Sequence, residues 1–201
     1  MTYAIAVGKS DIFPKPLTQL NRRVLIAEPS NLLNSKIELV DRLQVNKDVL
    51  YIVPHVTIVN QRDKICCIIK DDGKWSIGLG SFISTVPVNE ATLKDVIVNE
   101  VIKQLEDNFS LKDTSILRDD ISVRLENNNF GILYSQESVY ESDRLAISMI
   151  LKIDESIINA DVRENTWMTV DELEVAVHDN EVIKLDTWSE MVLDIIKQAT
   201  D

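Results

Sequence analysis

Glu100 is the residue of this sequence best placed to do chemistry. It stands in a stretch where Leu93, Val96, Ile97, Val101 and Leu105 recur at helical spacing. At about 100° per residue, Glu100 projects into that apolar sector beside Leu93 and Ile97, and Gln104 follows one turn later on the same side. An unpaired buried carboxylate is expensive, so one in this position either has a partner or lines a site. Two candidate partners lie on the same helix. Lys103, three residues on, can pair with the carboxylate as an ion, and Gln104, four residues on, can hydrogen-bond to it. The spacing thus predicts a polar cluster of Glu100, Lys103 and Gln104. The plainer alternative is a structural carboxylate held by neighbouring side chains or backbone amides.

Other reactive residue types are poorly placed. Cys66 and Cys67 are adjacent, so on a strand they point to opposite faces and can form neither an ordinary disulfide nor a spaced metal site. They read as a small apolar pair in a buried strand, suited to a reducing cytosol. His55 and His178 have no partner at ligand spacing and read as core or surface residues. Glu106 and Asp107 read as a solvated helix end. The sequence has no Gly-x-Ser-x-Gly elbow, zinc-type Cys/His spacing or dinucleotide glycine fingerprint. Gly8-Lys9-Ser10 ends like a phosphate loop but lacks the preceding glycine.

The elements that must position Glu100 follow from pattern. Tyr3 to Val7 predicts a strand, and Val24 to Ala27 a second short one. Leu32 to Leu43 fits a helix or an irregular connection. Val49 to Val59 and Lys64 to Ile69 are rich in β-branched and aromatic residues and flank the polar turn Asn60 to Asp63, which predicts a hairpin. Pro54 lacks an amide donor, so it belongs at an edge, a bulge or an irregular strand start. Trp75 to Ile77 leads to Gly78 and Gly80, and Asn89 is the expected cap of the helix that carries Glu100, with Glu90 in its first turn. Farther on, Ile121 to Leu125, Phe130 to Tyr134 and Leu145 to Ile153 read as strands. Thr169 with Glu172 has the capping-box pattern, and Asp186 to Ala199 has Trp188, Val192, Ile195 and Ile196 on one face of a terminal helix. Strands interleaved with about three helices predict a mixed α/β domain.

Composition narrows the partners. A chain of 201 residues with 45% hydrophobic content can bury a real core. Its 33 acidic against 21 basic residues give a net charge of −12, which opposes non-specific attraction to nucleic acid or to an anionic membrane. A nucleotide partner would need a local basic patch or a bound cation. No segment approaches about 18 consecutive apolar residues, so a soluble, cytoplasmic protein is expected.

The stretch Trp75 to Glu106 resembles a Nudix box with most of its metal ligands replaced. Nudix proteins carry a helical Arg-Glu-x-x-Glu-Glu run, and here the corresponding run reads Asn99-Glu100-Val101-Ile102-Lys103-Gln104. The resemblance extends from about residue 40 to 197. It includes Arg42, Asp48 and Ile52-Val53-Pro54-His55, then Gly78-Leu79-Gly80-Ser81-Phe82. It continues with Trp167 before Asp171-Glu172-Leu173, and with Asp186-Thr187-Trp188-Ser189. The chain is similar in these respects to a bacterial and phage branch with phosphoesterase-like members.

The resemblance implies an α/β/α sandwich around a mixed β-sheet, with the box helix lining the substrate cleft. The expected organisation is a single domain over 1–201, in which 1–40 is an N-terminal elaboration, 75–106 the altered box and 185–199 the C-terminal helix. In the intact family, carboxylates on the box helix hold magnesium against a diphosphate, where the ion acts as a Lewis acid and helps generate hydroxide. Of three such carboxylates only Glu100 survives here, the catalytic candidate that the resemblance implies, in a metal-free cleft cluster of Asn99, Glu100, Lys103 and Gln104. Lys103 and Gln104 take the other two places, Asn99 that of the bracing Arg, and Ala91 the counted place of an upstream Glu. The resemblance therefore implies a non-catalytic or weakly active domain that binds a nucleotide-like ligand or a protein partner. A magnesium- or manganese-dependent pyrophosphohydrolase of nucleoside diphosphate derivatives is the alternative, with Glu137 or Glu141 as further carboxylates. A structural or assembly role, as a homodimer, is a third.

Overall fold

The computed structural model describes residues 3–13, 23–26, 32–34, 37–42, 47–70, 72–83, 92–109, 111, 113–137, 143–157, 166–179 and 183–200. In chain order the elements are β1 (Tyr3–Gly8), the single turn α1 (Lys9–Ile12), β2 (Arg23–Ile26), a 3-10 turn (Leu32–Asn34), β3 (Ile37–Asp41), β4 (Val49–Val59), β5 (Ile65–Ile69), β6 (Trp75–Ser76) and β7 (Leu79–Gly80). They continue with α2 (Leu93–Phe109), α3 (Ser115–Glu126), β8 (Gly131–Ser135), β9 (Arg144–Lys152), a 3-10 turn (Glu155–Ile157), β10 (Thr166–Met168), α4 (Val170–Asp179) and α5 (Thr187–Thr200). This is the mixed α/β class the sequence predicts. Its residues group into two compact units, one of Met1–His55, Gly80–Gln104 and Thr114–Met149, the other of Val56–Leu79, Leu105–Asp113 and Ile150–Asp201.

In the first unit, β1 lies between β3 and β4 and pairs antiparallel with both, Ile5 opposite Leu39 and Ala6 opposite Tyr51. The Ile5 amide also donates to the Ile83 carbonyl at 3.1 Å, which anchors the segment that follows β7. Strand β8 pairs antiparallel with β2 and with β9. The apolar runs of β1 and β4 are buried, as β-branched strands must be when they supply core.

Helix α2 buries Leu93, Val96, Ile97, Val101 and Leu105, the stripe the spacing predicts. Its cap is Thr92: the Asp95 amide donates to Thr92 Oγ1 at 3.2 Å, and the Thr92 amide donates to Asp95 Oδ2 at 3.0 Å. This reciprocal pair satisfies helix-end donors in the manner of a capping box, and the hydrogen bonds from Thr92 hold the Asp95 carboxyl below its ordinary value. The expected cap, Asn89, lies outside the described residues, and the described helix starts at Leu93.

Two expectations need correction. Ile121 to Leu125 is helical, within α3, because Leu117, Ile121 and Leu125 recur every fourth residue and are all buried. The apparent alternation of Ile-Ser-Val-Arg-Leu concealed that longer period, and Val123 is in fact half exposed. Within Leu32 to Leu43, expected as a helix or an irregular connection, Leu32–Asn34 form a 3-10 turn and Ile37–Asp41 form β3; residues 35, 36 and 43 lie outside the described residues.

In the second unit, β5 pairs antiparallel with β10 (Cys66 opposite Trp167) and with β6 (Ile69 opposite Trp75). The hairpin from β4 to β5 turns on Asn60, whose side-chain Oδ1 accepts from the amides of Arg62 and Lys64, each at 2.9 Å. Asp63 completes the turn at φ 57, a left-handed conformation that Asp tolerates better than most residues. Thr169 and Glu172 form the predicted capping box at the start of α4, with the Thr169 amide 2.8 Å from Glu172 Oε2 and the Glu172 amide 3.1 Å from Thr169 Oγ1.

The start of α5 is fixed from both sides. Asp186 Oδ1 accepts from the Ser189 amide at 2.8 Å as an N-cap. Its other oxygen lies 2.5 Å from Lys70 Nζ. Burial works against ionisation of Asp186, but the Lys70 ammonium and the Ser189 donors outweigh it and hold the carboxyl below its ordinary value. Ser189 Oγ in turn accepts from the Ile77 amide at 3.0 Å. No helix of the described residues is long and apolar enough to cross a membrane.

Candidate functional site

Glu100 and Gln104 are both buried, each 6% exposed, on a helix whose neighbouring positions are apolar. Their four-residue spacing stacks them on one face of α2. What satisfies the carboxylate is a residue from outside the helix. Ser81, directly after β7, donates its hydroxyl to Glu100 Oε1. Gln104 Nε2 donates to the same Ser81 oxygen at 3.0 Å. Ser81 is thus the hub, giving its proton to the carboxylate and accepting from the amide. A hydroxyl has one donor and two acceptor lone pairs, so these two bonds fix its rotor.

Ser81 is held in place by its flanks. The Ile83 carbonyl is bound by β1, and Gly80 lies against β4, where a Cβ would meet Val53 Cγ1 at 3.4 Å and the Pro54 carbonyl oxygen at 3.5 Å. Pro54 lies on β4 between Tyr51, which pairs with β1, and Val59, which pairs with β5. His55 is buried beside Gly80, with Nδ1 3.5 Å from Ser148 Oγ.

The four-residue cluster expected on α2 divides. Asn99 is exposed, and its Oδ1 accepts from Arg118 Nη1 at 2.6 Å, tying the outer flank of α2 to α3. Lys103 is exposed as well and makes no ion pair with Glu100. Position 103 lies about 60° round the helix from position 100, far enough for a long, strongly hydrated side chain to reach water instead. The carboxylate is therefore balanced by a neutral hydroxyl and not by the lysine. The Ser81 partnership was not read from sequence. Its signal was a small hydroxyl residue at the end of a glycine-bearing strand, in a segment already adjacent to the helix in chain order.

The donor set fits a divalent cation poorly. Magnesium takes hard oxygen ligands, and protein sites for it gather carboxylates together with substrate phosphates. Glu100 is the one carboxylate of this cluster, and Oε1 already faces a hydroxyl proton. Among the described residues no group of three His, Cys, Asp or Glu side chains is placed to hold a metal ion. Glu137 is exposed just past β8, with its amide bonded to Ser135 Oγ at 3.2 Å, and Glu106 and Asp107 are exposed on α2. Glu141 lies outside the described residues.

The remaining reactive residues behave as the sequence predicts. Burial pushes the Cys66 thiol up to about 12, helped by neighbouring Cys67, and burial alone pushes Cys67 up to about 12. Such thiols carry almost no thiolate near neutral pH and are poor nucleophiles. His178 is exposed in the last turn of α4.

No family model matches the chain, and no curated protein does. Among solved structures, the chain superposes on that of Tm1382, described as "a putative Nudix hydrolase", with a TM-score of 0.65, over 96% of this chain and 97% of that one. The fold is Nudix-like. At 14% identity the likeness is one of fold, and function does not travel with it.

Proposed function

We propose that this Nudix-like domain binds a nucleotide-like ligand and has lost the carboxylate-gathered hydrolysis that the family's intact box performs. The observation that carries this reading is the division of the α2 residues. Glu100 is engaged by Ser81, Gln104 faces Ser81 as a donor, and Asn99 and Lys103 are exposed. A box that gathers metal needs several carboxylates on one face, and the buried face of this helix offers one, Glu100.

What remains is an acceptor-rich polar cluster. Ser81 keeps one lone pair after its two bonds, and the carboxylate keeps its second oxygen. Acceptors of this kind suit donors such as sugar hydroxyls or an exocyclic amine. They repel phosphate.

Thermal stabilisation tests the reading, because a ligand that binds only the folded state raises its apparent stability. A panel of nucleoside diphosphate derivatives, assayed with magnesium and with manganese, should include compounds that stabilise the protein without Glu100-dependent turnover. Metal-dependent product formation that is lost in Glu100→Gln would favour the pyrophosphohydrolase instead. Absence of stabilisation by every compound would favour a structural or partner-binding role.

A further inference from the structure

The residue after Ser81 carries a second constellation. Phe82 sits with the Arg42 guanidinium carbon 3.7 Å from its ring centroid and that of Arg144 4.6 Å from the same centroid. Tyr51 meets the ring edge-on, with centroids 6.0 Å apart. Arg42 follows β3, Tyr51 is on β4, Phe82 follows β7 and Arg144 opens β9, so four separate chain segments converge here. The two guanidinium carbons can be no farther apart than the two ring distances laid end to end.

Two like charges against one ring are uncommon in a chain of net charge −12. Arg144 has a counter-charge in Asp143, with which it forms an ion pair. Asp143 is adjacent to Arg144, its Oδ1 3.4 Å from Nε, but the geometry leaves both atoms without a hydrogen bond. For Arg42, no described carboxylate forms an ion pair with it. Arg42 is exposed and Arg144 partly so. A guanidinium stacked on an aromatic face keeps its edge donors free, and that planar fork matches the oxygens of a phosphate. The field of Arg42 reaches this corner along with those of Asp41 and Asp143. The Tyr51 hydroxyl is raised from its ordinary value by burial first and by Asp143 next, while Arg42 opposes them.

We infer that Arg42 and Arg144, both against the Phe82 ring, form an anion site that receives the phosphate or diphosphate of a ligand. The site stands on the arginine geometry, and only the identification of the ligand as a nucleotide rests on the functional reading above. Because Phe82 directly follows Ser81, one chain segment contributes both the acceptor cluster for donor groups and the aromatic platform for the anion-binding arginines.

Calorimetric titration with sodium pyrophosphate at constant ionic strength tests the site. Wild type should bind. Arg42→Gln and Arg144→Gln should each weaken binding about tenfold to a hundredfold, the worth of a charge-assisted hydrogen bond. Arg42→Lys and Arg144→Lys keep the charge without the fork and should fall between, while Lys152→Gln, at an exposed pair with Asp63, should bind as wild type. Circular dichroism checks that each variant is folded. Absence of pyrophosphate binding by wild type, or equal affinity in wild type and the two Gln variants, would overturn the inference even if nucleotides stabilise the protein. Arginine-dependent pyrophosphate binding with no gain in affinity for nucleoside diphosphates would uphold the anion site and count against the nucleotide.

Discussion

Ser81 and Glu100 are 19 residues apart in sequence and joined by the serine hydroxyl, which donates to the carboxylate, with Gln104 donating to the same serine oxygen. The buried carboxylate on α2 therefore depends on a partner from another segment of the chain. Ser81→Ala should destabilise the protein by about 1–3 kcal/mol, the cost of leaving a buried acceptor unsatisfied. Adding Glu100→Gln to Ser81→Ala removes the stranded charge and should recover part of that loss. Urea unfolding of the four-member cycle measures the coupling directly.

The ion pair and cap at Asp186 give the protein a defined acid sensitivity. The folded carboxyl lies below its ordinary value of 3.8, so the unfolded chain binds the proton more readily. Stability from this group is complete above that ordinary value and is lost as pH falls through the lower folded value. Asp186→Ala should cost about 1 kcal/mol at pH 7 through the lost cap. The difference between variant and wild type should shrink in urea titrations carried down to pH 3.

Burial makes a separate prediction for Cys66 and Cys67. With both thiols raised to about 12, the thiolate fraction at pH 8 is on the order of 1 in 10,000. A colorimetric disulfide reagent should therefore titrate neither thiol in the native protein at pH 8. Both should react at once in denaturant. Fast native reaction of either would show that β5 opens.

Legibility in the sequence followed the locality of the interactions. The β4–β5 hairpin, the Thr169–Glu172 capping box and the burial of Glu100 and Gln104 all come from spacings of a few residues, and the structure holds each of them. Helix α3 was hidden because five of its residues alternate like a strand, while the Leu117, Ile121, Leu125 period needs a longer window. Ser81 was invisible as the partner of Glu100 because nothing local links a strand-end serine to a helix position so far along the chain. Lys103 misled for the opposite reason. Its spacing from Glu100 permits a pair, but spacing says nothing of whether a lysine prefers water.

The account turns on Glu100 being satisfied by Ser81, which Gln104 holds in place, without divalent metal. Titration calorimetry of magnesium, then manganese, into wild type and Glu100→Gln is the most direct measurement. The account predicts the same weak heats for both proteins up to about 1 mM metal, a range that detects any functional site. Tight binding by wild type that vanishes in Glu100→Gln would contradict it.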